Sequence, residues 1–173
     1  MKDVYILGIE SSCDETSVSI VKNGNEEIVT KTLSQIDIHK KFGGVVPEIA
    51  SRSHAECITI VIDECIKESN LSWDKIDAIA VTKGPGLAGS LLVGLEAAKT
   101  LSLCHNKPLI GVNHMAGHIY ANSLVDKMEF PLICLVISGG HTEIIYMNED
   151  LSFKKIGGTL DDSVGEAFDK VAR

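Results

Sequence analysis

The fold of this chain is decided by residues 4–33, VYILGIESSCDETSVSIVKNGNEEIVTKTL. Val4 to Ile9 is an apolar, β-rich run, and Ser17 to Val21 alternates between apolar and polar side chains as a strand does. The tripeptide Asn23-Gly24-Asn25 is typical of a hairpin turn, and Glu27 to Leu33 returns after it as a third strand. The stretch therefore predicts three consecutive strands at the start of the chain.

Helices and strands alternate after these three strands. Pro47 suits the first turn of a helix that continues to about Asn70. The elements predicted after that helix are a strand over Ile76–Thr82, a helix over Ala88–Leu103, a strand over Leu109–Val112 and a helix from His114 to about Val125. The resulting order, βββαβαβα, is that of a complete α/β unit.

The chain then repeats its opening pattern. The repeat consists of a buried strand over Pro131–Ile137 and strands over Thr142–Met147 and Leu151–Ile156, followed by a helix capped by Asp161-Asp162-Ser163. We therefore predict two related domains, 1–128 and 129–173, of which the second is only begun. Because a half-made unit leaves an apolar sheet face uncovered, we expect the chain to be a truncated part of a longer protein.

Composition limits the class of protein. The 173 residues are 45% hydrophobic, carry a formal net charge of −8 and include five cysteines without a Cys-x-x-Cys motif. These values fit a globular protein of the reducing cytoplasm, and the charge argues against a broad basic surface for nucleic acid. The start of the chain lacks a signal-peptide pattern and no run reaches the ~18 apolar residues of a membrane helix, so we expect no membrane association.

Two polar turns occupy equivalent places, each between the first two strands of its unit. The first, Glu10 to Thr16, holds three acids and three hydroxyls that can bind a phosphate or a cation or activate a nucleophile. The second, Val136 to Thr142, has two glycines whose backbone amides can face a cleft. An ordinary polar turn and a plain Gly-Gly hairpin are the alternatives, but the equivalent positions favour a function for both.

A glycine-rich segment, Lys83-Gly84-Pro85-Gly86-Leu87-Ala88-Gly89-Ser90, separates a predicted strand from a helix. It contains Gly-x-Gly-x-x-Gly, but Pro85 removes an amide from any phosphate cradle, and no acid for a ribose follows the next strand. The pattern therefore disfavours a dinucleotide and leaves two alternatives, an anion or a closely packed element. Along the preceding helix, four polar residues fit a functional group and a solvated helix face equally well, namely Glu48, Arg52, Ser53 and His54.

The segment Asn113-His114-Met115-Ala116-Gly117-His118 places two histidines one helical turn apart, where both rings can reach one metal ion. Met115 stands where a His-Glu-x-x-His protease carries its general base, so that class is excluded. Two ligands are fewer than a protein metal site normally supplies, and the histidines can instead cap or pack the start of the helix.

Six motifs, in order along the chain, resemble the TsaD family of tRNA threonylcarbamoyltransferases in its bacterial and mitochondrial form. They are GIESSCDET at 8–16, GGVVPEIASRSH at 43–54, GPGLAGSL at 84–91, NHMAGH at 113–118, VISGGHT at 136–142 and GEAFDKVA at 165–172. The resemblance implies the actin-like ATPase (ASKHA) fold, with two duplicated RNase H-like domains facing across a cleft. It also implies transfer of a threonylcarbamoyl group from threonylcarbamoyl-AMP to N6 of the adenosine next to the anticodon in tRNAs that read ANN codons.

The same resemblance implies roles for individual residues. Asp14 and Glu15 match acids implicated in activity, and His114 and His118 match ligands of a metal, iron or zinc. Positions that contact the acyl-adenylate are matched by Val136, Ile137, Ser138, Gly139, Gly140 and Asp169. The implied partners are tRNA and the TsaB-like and TsaE-like proteins of the bacterial modification complex.

Members of this family are longer and carry a third metal ligand, an Asp, in the half that this chain lacks. We therefore expect this chain alone to be inactive, to hold metal weakly or not at all, and to be capable of self-association. Two alternatives stay open. One is a non-catalytic TsaB-like scaffold, which would lack the histidine pair, and the other is an ASKHA-fold phosphotransferase, which would use Glu10 to place magnesium.

Overall fold

The computed structural model describes residues 2–150 and 152–172, and the chain divides into two compact units, Met1–Gly117 and His118–Arg173. The domain boundary between residues 128 and 129 stays a prediction. Leu151, where the last strand was expected to begin, lies outside the described residues.

The first unit is built on a five-stranded mixed sheet in the order β3-β2-β1-β4-β5. Its strands are β1 (Tyr5–Glu10), β2 (Glu15–Lys22), β3 (Glu26–Ser34), β4 (Ala78–Gly84) and β5 (Leu109–Asn113). Strands β1, β2 and β3 are antiparallel neighbours, whereas β1, β4 and β5 run parallel. The carboxyl ends of these three parallel strands therefore meet at one edge of the sheet, where α/β proteins commonly bind ligands.

Two long helices pack against this sheet and against each other. The helices of this unit are α1 (Ile36–His39), α2 (Pro47–Ser69) and α3 (Ala88–His105), and α4 (His114–Tyr120) begins in it. Helix α2 starts with Pro47 and ends at Asn70, whose φ of 55° is left-handed, which confirms both predicted ends. No helix formed by the described residues is long and apolar enough to cross a bilayer.

The core of this unit lies between the sheet and the two long helices. Alternate residues of β1, β2 and β4 point into it, as the period of a strand requires. Its buried members include Leu7, Ile9, Val18, Ile20, Ile79 and Val81 from the sheet, and Ile58, Val61, Ile62 and Cys65 from α2. Burial of each large side chain contributes about 1.5–3 kcal/mol, so the sheet edge rests on a well-packed layer.

The predicted hairpin turn is confirmed, and two helical segments differ from the prediction. Asn23 and Gly24 have φ values of 54° and 78°, as a type I′ turn requires. Residues 36–42, to which the sequence assigns no helix or strand, form α1 and a short 3₁₀ turn. The helix predicted from His114 to about Val125 is α-helical only to Tyr120 and continues as a 3₁₀ helix over Ala121–Leu124, where the side chains of Asn122 and Ser123 donate to the carbonyls of Ile119 and Tyr120.

The second unit repeats the three antiparallel strands and the following helix, which confirms the predicted duplication. It contains β6 (Leu132–Ile137), β7 (Thr142–Met147), β8 (Phe153–Gly158) and α5 (Val164–Ala172), with the strands in the order β6-β7-β8. The hydroxyl of Ser163 accepts the amide of Glu166 at 3.2 Å, so Ser163 caps α5 as predicted.

The expectation that β6 is buried is wrong for one of its faces. Ile133, Leu135 and Ile137 are 68%, 60% and 53% exposed, whereas Val136 is buried. Successive side chains of a strand point to opposite faces, and only one face of this sheet is packed. The apolar side chains of β6 therefore lie on both faces of the sheet, of which one is packed and the other is exposed.

The glycine-rich segment is a closely packed element. The amide of Leu87 donates to the carbonyl of Ser12 at 2.8 Å, and a Cβ at Gly86 would lie 2.7 Å from that same carbonyl oxygen. On α3, a Cβ at Gly94 would collide with the hydroxyl of Ser11. These glycines therefore let the start of α3 approach the β1–β2 turn, which supports the packing alternative.

We expect Gly86→Ala to lower the free energy of unfolding by about 1–3 kcal/mol, because the new methyl group meets the Ser12 backbone, which cannot shift without disturbing β1 and β2. Urea unfolding followed by circular dichroism measures the change. Gly44→Ala is the control, since a Cβ there meets nothing within 4 Å, and its effect should stay within about 0.5 kcal/mol. Equal effects of the two substitutions would contradict the packing role.

Candidate active site at the edge of the parallel strands

His114 lies at the carboxyl edge of the parallel strands because β5 passes directly into α4 there. The side-chain oxygen of Asn113 accepts the amides of Met115 and Ala116 at 2.9 and 3.2 Å, so Asn113 caps the helix. His118 follows four residues later in the same helix, and the helical repeat puts both histidines on one side of α4.

The ring of His114 is held by the β1–β2 turn. Its Nδ1 lies 3.1 Å from Oε2 of Glu10 and 3.2 Å from the hydroxyl of Ser12. Glu10 also accepts the amide of Ser12 at 2.5 Å and the hydroxyl of Thr82 at 2.6 Å. Three donors from three parts of the chain thus converge on one carboxylate.

These contacts set the charge of Glu10. Burial raises the pKa of its carboxyl, but the hydrogen bonds from His114, Ser12 and Thr82 outweigh burial and lower the pKa from 4.5 to about 2. Glu10 is therefore an ionised, acceptor-only group over the physiological range of pH.

The sequence did not identify Glu10, Ser12 and Thr82 as partners of a histidine. It indicated Glu10 only as an acid of the first polar turn and, in the phosphotransferase alternative, as the group that places magnesium. The signal that could have found them is topological. Glu10 ends β1 and Thr82 lies near the end of β4, and both strands run parallel in the sheet to β5, which precedes His114. Residues that follow parallel strands meet at one edge even when the chain separates them widely.

The hydroxyls of the first polar turn bind to the protein. Ser11, Ser12 and Thr16 are all buried. The hydroxyl of Ser11 donates to the carbonyl of Ser90 at 2.8 Å, and Ser12 contacts His114 as described. They therefore hold neighbouring elements in place rather than forming the open rim of a phosphate cradle.

His54 belongs to the interior and not to a solvated helix face. It is fully buried, its Nε2 donates to the carbonyl of Cys13 at 2.9 Å, and its Nδ1 lies 2.6 Å from the hydroxyl of Thr16. Glu48 and Arg52, by contrast, form an exposed ion pair at 2.8 Å. The helical repeat could have separated them, because His54 shares the buried stripe of α2 and the ion pair does not.

The two predicted catalytic acids differ in their surroundings. Asp14 is half-buried, and its carbonyl accepts the amide of Gln35 at 3.0 Å. Desolvation raises the pKa of the neighbouring Cys13 thiol to about 11, and a hydrogen bond to the Asp14 carboxylate adds to the rise. Glu15 is exposed and opens β2 opposite Ser34.

The second polar turn is a tight hairpin against the start of α5. The amide of Ser138 donates to the carbonyl of His141 at 2.8 Å, and the hydroxyl of Ser163 donates to the carbonyl of Gly139 at 2.5 Å. A Cβ at Gly165 would lie 2.6 Å from Cα of Gly139, so the helix approaches the turn closely. The structure therefore brings this turn and the first residues of α5 together.

The predicted substrate-binding residues, all of which belong to the second unit, differ in their exposure to solvent. Ser138 is half-buried and Val136 is buried. The exposed members are Ile137, Gly139, Gly140 and Asp169, of which the last lies in the second half of α5. The backbone of the two glycines is thus accessible to a ligand of the second unit.

The two histidines of α4 are chemically suited to a transition metal, but two ligands are too few for a complete metal site. Imidazole nitrogen is a suitable ligand for zinc and iron, and a protein normally supplies at least three ligands. Within residues 2–150 and 152–172 there is no group of three or more His, Cys, Asp or Glu side chains that could hold a metal ion. The imidazoles of His114 and His118 are each suitable ligands, and their binding of one metal ion stays a prediction.

Comparison with solved structures defines the class of fold. "YeaZ from Pseudomonas aeruginosa" is similar with a TM-score of 0.58 and 12% identity over 89% of this chain and 64% of that one. An activator of 2-hydroxyisocaproyl-CoA dehydratase from Clostridium difficile has a TM-score of 0.51 and 13% identity over 99% of this chain and 51% of that one. This likeness concerns the fold alone, which is the expected RNase H-like fold of the actin-like ATPases.

Comparison of sequences then defines the family. A profile described as "TsaD: tRNA N6-adenosine threonylcarbamoyltransferase" matches residues 27–173. Proteins of that name from Bacillus thuringiensis (strain Al Hakam) and Bacillus subtilis (strain 168) are each 62% identical over 172 residues, which cover 99% of this chain and 50% of the relative. The chain belongs to the TsaD family and spans about half the length of these curated relatives. Membership in this family decides against the TsaB-like paralogue.

The buried hydrogen bond between Thr16 and His54 can be tested by the same substitution at a buried and at an exposed threonine. We expect Thr16→Val to lower the free energy of unfolding by about 1–3 kcal/mol, because the substitution keeps the side-chain shape and leaves the buried Nδ1 of His54 without its hydroxyl. Thermal unfolding measures the loss. In the control, Thr32→Val removes an exposed hydroxyl that pairs with Ser17 at 2.8 Å, and the change should stay within about 0.5 kcal/mol. A small effect at both positions would show that the buried bond contributes little.

Proposed function

We propose that the whole protein transfers the threonylcarbamoyl group of threonylcarbamoyl-AMP to N6 of the adenosine next to the anticodon in tRNAs that read ANN codons, in the cytoplasm. The product is N6-threonylcarbamoyladenosine. The observation that carries this proposal is the 62% identity over 99% of the chain to proteins named for this transfer. The contact between Ser12 and His114 supports it, because it joins two of the six family motifs at one edge of the sheet.

The reaction forms one bond and breaks another. The exocyclic amine attacks the carbamoyl carbon, and the new C–N bond replaces the C–O bond to the phosphate of AMP. AMP leaves with the electron pair of that bond, and the amine loses one proton. The protein therefore has to orient a weak nucleophile, receive a proton and stabilise charge on oxygen.

Asp14 and Glu15 are the proposed catalytic acids of the first unit. The backbone of Asp14 is fixed by Gln35, and its half-buried carboxylate suits a group that accepts the amine proton or orients the acceptor. Glu15 is exposed beside it and can contact substrate directly. We assign the proton-handling role to Asp14 because its position is the more restricted of the two.

The proposed substrate-binding residues are those of the second polar turn, Val136, Ile137, Ser138, Gly139 and Gly140, together with Asp169. Backbone amides of exposed glycines are suited to phosphate oxygens or to a developing oxyanion, because no side chain blocks their approach. Binding of the acyl-adenylate by this turn is the role that its accessible backbone supports best.

His114 and His118 are the proposed ligands of a divalent iron or zinc ion, with the third ligand supplied by residues that this chain lacks. When bound, such an ion supplies Lewis acidity that polarises a carbonyl or steadies the leaving phosphate. The contribution of this chain is the orientation of the His114 ring by Glu10 and Ser12. Acyl transfer is favoured over the phosphotransferase alternative by the relatives of 62% identity, which are named for acyl transfer.

An apolar groove on the first unit is the proposed binding surface for a TsaB-like partner. It lies between α2 and α3 and has a volume of about 690 Å³. Its apolar lining consists of Ala55, Ile58, Ile62, Ile66, Trp73, Leu92, Val93, Ala97 and Leu101. Leu92 is 56% exposed, and an apolar groove between two helices is suited to a helix of a partner protein. Without a partner, this groove and the exposed face of β6 favour self-association of the chain. The other proposed partners are tRNA and a TsaE-like protein.

Substitution of the acid tests the transfer. In the full-length protein with its partner proteins, we expect Asp14→Asn to lower the single-turnover rate constant for transfer to tRNA by about 10²–10⁴-fold, the usual contribution of a proton-transferring group. Asp74→Asn, an exposed acid of the same unit, is the control and should leave the rate unchanged. We further expect residues 1–173 alone to show no transfer, and robust turnover by this chain would contradict the proposed need for its missing half.

Substitution in the groove tests the partner surface. We expect Leu92→Glu to weaken binding of a TsaB-like partner by at least about 10-fold, because it places a charge in the apolar groove. Leu103→Glu is matched to it, since Leu103 is on the same helix and 83% exposed but does not line the groove. Isothermal titration calorimetry measures both. Equal affinities for the two variants would place the partner elsewhere.

A further inference from the structure

We propose that Glu10 is a positioning residue that fixes the tautomer and the orientation of the His114 ring, so that Nε2 is the nitrogen that His114 presents to a metal ion. This inference deepens the proposed function and rests on it, because it concerns the same histidine. It adds a role for a side chain of β1 that the family assignment by itself does not supply.

The ring of His114 contacts the carboxylate of Glu10 directly. Nδ1 of His114 lies 3.1 Å from Oε2 of Glu10. A carboxylate accepts hydrogen bonds and donates none, so Nδ1 carries the hydrogen of this bond. In a neutral imidazole the other nitrogen then carries the lone pair, and Nε2 of His114 becomes the ligand atom.

Glu10 is itself immobilised by hydrogen bonds. Its Oε1 accepts the amide of Ser12 at 2.5 Å, and its Oε2 accepts the hydroxyl of Thr82 at 2.6 Å. A carboxylate held at both oxygens has no freedom to follow the histidine ring, so the ring adapts to the carboxylate.

The elements that carry these groups belong to one sheet. Glu10 is the last residue of β1, Thr82 belongs to β4, and His114 follows β5. The three strands are hydrogen-bonded, parallel neighbours in one sheet. Groups on such strands keep their separation better than groups on loops, which is the condition for a positioned ligand.

The contacts also distinguish positioning from direct ligation. Both oxygens of Glu10 already accept hydrogen bonds from the protein, and a metal ion would compete with those donors for the same lone pairs. The side chains of Glu10 and His114 are only 35% and 22% exposed, so water replaces these bonds poorly. Glu10 therefore acts through His114.

The experiment compares variants of the full-length protein stripped of metal. We expect Glu10→Gln to weaken Zn²⁺ binding at pH 7.5 by about 10–100-fold, the usual effect of removing the partner of a metal-binding histidine. His114→Ala should abolish binding at this site, and Glu27→Gln, an exposed acid of β3, should leave the affinity unchanged. Competition with a chelator of known affinity gives each dissociation constant.

A second measurement reads the ring directly. Two-bond proton–nitrogen correlation spectra of the metal-free protein report which nitrogen of His114 carries the hydrogen. We expect the Nδ1–H form in the wild type and in Glu27→Gln, and a mixture of tautomers in Glu10→Gln. Thr82→Val should give a smaller change of the same kind, which keeps the inference testable if Glu10→Gln folds poorly.

Each outcome decides a different claim. If Zn²⁺ binding is unaffected by His114→Ala, the proposed metal role fails, while the tautomer of the metal-free ring still tests Glu10. If His114→Ala abolishes binding and Glu10→Gln keeps both the wild-type affinity and the wild-type tautomer, the inference about Glu10 is overturned. Loss of Zn²⁺ in Glu10→Gln as complete as in His114→Ala would make Glu10 a ligand and would also overturn it.

Discussion

The hydrogen bonds that hold the β1–β2 turn are the interaction on which the rest of the first unit depends. The carbonyls of Ser12, Cys13 and Asp14 each accept a donor from a different part of the chain, and an unsatisfied carbonyl in this partly buried place would be costly. The three donors are the amide of Leu87, the ring of His54 and the amide of Gln35. Because the backbone of the turn is fixed on three sides, the side chains that it presents to the sheet edge are fixed as well.

Local signals in the sequence predicted most elements of the fold but not the contacts at the edge of its sheet. The turn at Asn23 and the ends of α2 at Pro47 and Asn70 each depend on one residue's backbone preference, and all were predicted correctly. The hydrogen bond between Glu10 and His114 joins residues 104 positions apart, and the identity of neither residue indicates the other as its partner. That bond follows only after β1, β4 and β5 are known to be parallel neighbours.

Two other features show why a sequence pattern alone does not determine the surroundings of the segment that carries it. The Gly-x-Gly-x-x-Gly segment is compatible with a ligand or with close packing, and the decision lies with Ser12, which stands 2.7 Å from the place of a Cβ at Gly86. The apolar run of β6 is compatible with burial on both faces, yet Leu135 is 60% exposed while its neighbour Val136 is buried. In each case the atoms that determine the environment of the segment belong to a different part of the chain. The sequence of the segment alone therefore does not reveal them.

The two polar turns show that duplication preserved topology while side chains diverged. In the first turn, buried hydroxyls such as that of Ser11 bind other parts of the unit, and the turn acts by holding protein groups in place. In the second, the exposed Gly139 and Gly140 leave the backbone accessible, and the hydroxyl of Ser163 fixes the carbonyl of Gly139 from behind. Under the proposed function the first turn orients a side chain and the second binds a phosphate, which are different requirements. Equivalent positions can meet those requirements because a strand–turn–strand frame constrains the path of the backbone far more than it constrains the side chains of the turn.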